Sequence, residues 1–97
     1  MNTEQLKQHI EDTDDTALDL LLDAMPRGAS RFVSITNNLA KYLAEVKQHY
    51  PEARFYTSGG DGFALILGDT HSGKGENPNN ELMAIQAPKL RVMGGDW

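Results

Sequence analysis

Between Ser30 and Tyr50 the chain reads SRFVSITNNLAKYLAEVKQHY, with apolar residues at Phe32, Ile35, Leu39, Tyr42, Leu43, Val46 and Tyr50. Steps of three and four place these side chains in one stripe along a single face of an α-helix. Asn37, Asn38, Lys41, Glu45 and Gln48 fall on the other side, where water satisfies them. Ser30 is the expected N-cap, because its hydroxyl can accept from free backbone N–H groups of the first turn. Pro51 ends the helix, since the residue before a proline is pushed out of the α region. A helix of this length with one apolar face needs another layer against it, and the rest of the chain reads as that layer.

Upstream lie two shorter helical stretches. Asn2 or Thr3 can cap a helix running to about Asp12, with Gln5 as the capping-box partner of Asn2. Only Leu6 and Ile10 give it an apolar edge, so a weakly ordered arm over residues 1–14 is expected. Asp14 or Asp15 then caps a second helix, about Thr16 to Met25, which Pro26 and Gly28 terminate. Leu18, Leu21, Leu22 and Met25 form its main face. Leu20 and Ala24 lie to the side and imply a second contact, with the first helix or with another chain.

After Pro51 the period changes. Ala53–Ser58 (ARFYTS) and Phe63–Leu67 (FALIL) flank Gly59-Gly60-Asp61-Gly62, which reads as a β-hairpin. FALIL is apolar throughout, so both its faces should be covered and it should be the central strand. Gly68–Asn80 (GDTHSGKGENPNN) reads as a loop, long enough to be functional or disordered. Glu81–Ala87 resumes a strand, Pro88 marks an edge, and Lys89–Met93 (KLRVM) alternates as a fourth short strand. Gly94–Trp97 reads as a flexible tail. The expected fold is α+β and single-domain over residues 1–97. Two or three N-terminal helices pack on one face of a three- to four-stranded antiparallel sheet.

Composition narrows function. The 97 residues carry a formal charge of −5, concentrated in one arm. Residues 1–25 hold Glu4, Glu11, Asp12, Asp14, Asp15, Asp19 and Asp23 against Lys7 alone, a balance of −6, and the remainder is nearly neutral. Such a surface repels phosphate backbones, so nucleic acid is not an expected partner. Cysteine is absent, which excludes disulfides and thiolate metal sites. No apolar run reaches about 18 residues, and the acidic N-terminal stretch lacks a signal-peptide core, so a cytoplasmic protein away from membranes is expected.

Candidate chemistry is sparse. GDTHSGKG over Gly68–Gly75 follows the phosphate-loop pattern G-x-x-x-x-G-K-[ST] as far as Lys74. The hydroxyl that would hold Mg²⁺ is Gly75 instead, and the Asn- and Pro-bearing segment beyond cannot begin the phosphate-cradling helix. A looser anion site remains, with Asp69, His71 and Lys74 on a glycine-rich backbone. Asp69, His71 and Glu76 lack the helical spacing of a metal site, and His9 and His49 read as surface histidines. No nucleophile elbow is present, and the aromatic residues are spaced as core or sheet-face positions. No catalytic residue and no cofactor are expected.

The leading expectation is therefore a non-catalytic protein–protein interaction module. It would dock on a protein partner through Glu11, Asp12, Asp15, Asp19, Leu20 and Asp23, or through a sheet edge. In composition the chain resembles small regulators and inhibitors of the kind phages and plasmids encode. The alternative is a binder of a small anion, such as a nucleotide phosphate, at Asp69, His71 and Lys74. A homodimer is a third expectation, prompted by the surplus apolar positions on the second helix.

Overall fold

A computed structural model describes residues 1–57, 62–75 and 77–93. Three helices come first: α1 (Thr3–Asp12), α2 (Ala17–Ala24) and α3 (Gly28–His49). Strands β1 (Arg54–Tyr56), β2 (Ala64–Ile66), β3 (His71–Ser72), β4 (Asn77–Pro78) and β5 (Met83–Gln86) follow, with a 3-10 turn over Asn80–Leu82 before β5. The chain divides into two compact units, Met1–Leu39 and Ala40–Trp97.

In the first unit, polar side chains at the helix ends set the boundaries. Asn2 and Gln5 form the expected capping box, with Asn2 Oδ1 accepting from Gln5 N–H at 2.9 Å and Gln5 Oε1 from Asn2 N–H at 2.9 Å. The cap of α2 is Thr16, not Asp14 or Asp15. Thr16 Oγ1 accepts from Asp19 N–H at 3.1 Å, and the Asp19 carboxylate accepts from Thr16 N–H at 2.9 Å, a second capping box. Thr-x-x-Asp satisfies two orphan donors at once, which a lone aspartate one residue earlier cannot. Nor does Ser30 cap α3. The helix starts two residues earlier at Gly28, and Ser30 Oγ donates back to the Arg27 carbonyl at 3.1 Å from within the first turn. Arg31 N–H reaches the same carbonyl at 2.9 Å.

Gly28 is buried because α2 lies on it. A side chain there would meet Leu21 Cγ at 3.1 Å and Met25 Cβ at 3.3 Å. The close approach of α2 to the start of α3 is therefore tight at Gly28, where an added Cβ would press on Leu21 and Met25. Even so, Leu18, Leu21 and Met25 are all exposed, while Leu20 and Leu22 are half-buried. Of the expected main face only Leu22 is half-buried, and of the two side positions Leu20 is half-buried and Ala24 exposed, because a glycine contact covers little of the side chains that rest on it.

In the second unit the chain leaves α3 before Pro51, as expected. Tyr50 N–H still reaches the Val46 carbonyl, and Ala53 N–H reaches that of Tyr50 at 2.9 Å, closing a tight turn into β1. The sheet order is β1-β2-β5, antiparallel, so FALIL holds the central strand. Ala64, Leu65 and Ile66 are all buried, and Ala53 joins them. Phe55 pairs with Leu65 across β1 and β2, and the Phe55 and Phe63 rings lie 5.0 Å apart. On the far side Leu65 pairs with Ile85 but Ile66 with Met83, so β5 carries one extra residue, Ala84, as a bulge. That bulge breaks the simple alternation expected for Leu82, Ala84, Met83 and Ile85.

Two expectations fail here. Gly68–Asn80 is not an open loop: β3 and β4 pair within it, His71 opposite Pro78 and Ser72 opposite Asn77, and the 3-10 turn begins at its end. Asn79 is the reason. Its amide donates to the Asp69 carbonyl at 2.9 Å, its Oδ1 accepts from Ser72 Oγ at 3.0 Å, and its N–H reaches the Thr70 carbonyl at 2.8 Å. Three bonds from one residue close a turn that polar composition alone reads as slack. Lys89–Met93 forms no strand, since Ala87 N–H makes the last ladder contact, to Phe63, and Pro88 follows without a donor. The expected β1–β2 turn at Gly59–Gly62, apart from Gly62 itself, and the tail Gly94–Trp97 lie outside the described residues.

Candidate functional site

The expected acidic site lies wholly in the helical unit, and the structure sorts its members by what each carboxylate already does. Asp19 is committed to the α2 capping box. The hydrogen bonds from Thr16, the backbone N–H foremost, hold its carboxyl below the ordinary value of 3.8. Asp15 meets His9 Nε2 at 2.9 Å, which ties the end of α1 to the turn before α2. Thr13 tightens the same turn, its hydroxyl donating to the His9 carbonyl at 2.8 Å and accepting from Asp15 N–H. Asp12 accepts from Gln8 on α1 at 2.9 Å. Glu11 and Asp23 have no side-chain partner among the described residues, nor has Asp14. These hydrogen bonds fix where Asp12, Asp15 and Asp19 point without removing their charge, and leave Glu11, Asp14 and Asp23 as carboxylates with no side chain holding them among the described residues.

Apolar surface accompanies those carboxylates. In the helical unit Leu6, Ile10, Leu18, Leu21, Met25, Phe32, Val33 and Ile35 are all exposed, and Phe32 reaches 67%. Leu20, by contrast, is half-buried. These eight side chains, at about half exposure on average, are spread over all three helices. At the α2–α3 corner, Met25, Pro26, Arg27, Gly28 and Arg31 surround a shallow hollow of about 470 Å³. Sequence reasoning missed this corner, because Pro26 and Gly28 register as helix stops and the two arginines as isolated charges.

In the second unit, Asp69, His71 and Lys74 do not converge. Asp69 binds Arg54 at 2.8 Å, and a ring nitrogen of His71 lies 3.1 Å from Thr70 Oγ1. Lys74 sits at the tip of the β3–β4 hairpin between Gly73 and Gly75, whose φ angles of 80° and 87° explain the glycines. The segment after the GDTHSGKG pattern enters β4, not a helix. A hollow of about 150 Å³ lies between the sheet face and this hairpin, lined by Tyr56, Ile66, His71, Asn79 and Met83 among others. Gly68, just before this hairpin, is buried with Leu82 close by: a Cβ there would meet Leu82 Cδ1 at 3.1 Å.

Among the described residues no three His, Asp or Glu side chains gather into a metal-holding group, and no helix is long and apolar enough to cross a membrane. No family model, no curated protein and no solved structure matches the chain.

Proposed function

We propose that the chain is a non-catalytic interaction module of the regulator or inhibitor kind, which docks on a protein partner through its helical unit. The observation that carries this reading is the set of eight exposed large apolar side chains beside unpaired carboxylates in one unit. Isolated helices under about 12–15 residues are marginal in water, so tertiary burial must hold short ones. With 10 and 8 residues, α1 and α2 bury no side chain fully. A partner surface supplies the missing burial, and the free carboxylates steer a basic partner toward it. The same reading keeps the expected helix-on-sheet packing to the second unit, where the half-buried Leu43 and Val46 of α3 are its support.

The test separates structural from free carboxylates. Reversing Asp15 or Asp19 removes a turn contact or a cap and confuses folding with binding. Glu11→Lys with Asp23→Lys leaves both boxes intact. Affinity capture from a host lysate should retain an identified protein on the wild type, and the double variant should lose it with an unchanged far-UV spectrum. Equal retention contradicts the proposal. The anionic-ligand alternative rests on the sequence pattern at Lys74. A thermal shift with nucleotides or inorganic phosphate that Lys74→Ala abolishes would support it.

A further inference from the structure

We infer that the helical unit is also a self-association surface, and that a second copy of this chain covers it. The inference rests on the interaction-module reading and names one partner for the same unit. Two observations choose that occupant.

The first is charge. Arg27 and Arg31 flank the α2–α3 corner hollow and, among the described residues, neither guanidinium has a side-chain partner. Glu11, Asp14 and Asp23 are equally unpaired. Opposite charges left open within one unit are self-complementary: the basic corner of one copy fits the acidic helices of another, and a two-fold axis repeats the contact.

The second is surface type. The hollow is lined by Met25, Pro26 and Gly28 between the arginines. An amphipathic acidic helix is the natural complement of a basic-rimmed apolar groove. Helix α1 supplies Glu11 beside Leu6 and Ile10, and α2 supplies Asp23 beside its leucines.

The experiment uses two charge-swapped full-length chains. Arg27→Glu/Arg31→Glu puts acid against acid across the two-fold; Glu11→Arg/Asp23→Arg puts base against base. Sedimentation velocity should show wild type as a dimer and each variant alone at least tenfold weaker in association. A 1:1 mixture should recover a dimer, because each corner then meets an opposite charge. Matching far-UV spectra exclude unfolding as the cause. Monomeric wild type at 100 µM, or a mixture that stays monomeric, overturns the inference. Charge-swapped chains that dimerise as tightly as wild type overturn it as well.

The outcome is separable from the docking proposal. A foreign partner competes with the second copy for Glu11 and Asp23, so Arg27→Glu/Arg31→Glu should capture that partner at least as well as wild type. Capture without self-association leaves the docking reading standing alone.

Discussion

At the scale of single residues, the helical unit is built from local exchanges of hydrogen bonds. Asn2 with Gln5, and Thr16 with Asp19, each satisfy two backbone donors that a helix start leaves orphaned. Thr16→Ala should cost about 1 kcal/mol and loosen α2. Ser30→Ala should change stability by less than about 0.5 kcal/mol, because Ser30 lies inside α3, where alanine is the better helix former. Thermal melts of the two variants check this directly, and equal losses would restore Ser30 as a cap. Asp19 adds a pH dependence. Its folded carboxyl titrates below its unfolded value, so its contribution is complete above 3.8 and is lost as pH falls through the lower folded value. Helical ellipticity in Asp19→Asn should lack the part of the acid transition that lies below 3.8 in wild type. The Asn2 box was legible in the sequence because both partners sit at the required spacing. The Thr16 box was missed because neighbouring aspartates offered an equally good cap.

At the scale of elements, β2 organises the second unit. Ala64, Leu65 and Ile66 supply three of the four buried apolar residues among those described, and both neighbouring strands pair with them. Leu65→Ala should cost about 2–4 kcal/mol, since the large-to-small change leaves a cavity in the sheet core. Leu90→Ala, at an exposed position beyond β5, should cost under about 0.5 kcal/mol. Urea unfolding of both variants tests whether the core sits on β2. The central place of FALIL was readable because a strand apolar at every position has to be covered on both faces. So was the end of α3, because proline acts on the residue before it. The β3–β4 hairpin was not readable. Its turn is closed by Asn79 reaching back ten residues to Asp69, and composition carries no sign of a contact at that distance. KLRVM shows the converse: it alternates like a strand, but Pro88 removes the donor that would have continued the ladder.

At the scale of the whole molecule, burial is uneven. Ala53, Ala64, Leu65 and Ile66 all lie in the second unit, and only Gly28 is buried in the first. Folding free energy comes mainly from apolar area removed from water. A helical unit that keeps nine large apolar side chains exposed, Met1 among them, therefore has burial still to gain by association. The acidic character of the arm was legible from the sequence. Which carboxylates are free was not, since that depends on caps and on the His9 contact. The paired exposure of Arg27 and Arg31 at the α2–α3 corner was likewise invisible, because it is set by how α2 rests on Gly28.

The central claim is that the helical unit's apolar surface is a contact surface. Light-scattering mass across a concentration series, for wild type and for Ile35→Asp, tests it most directly. Wild type is expected to approach twice the 10.7 kDa chain mass, while Ile35→Asp stays at 10.7 kDa with its helices intact. A single-chain mass for both at every concentration, together with equal capture of partner protein, would contradict it.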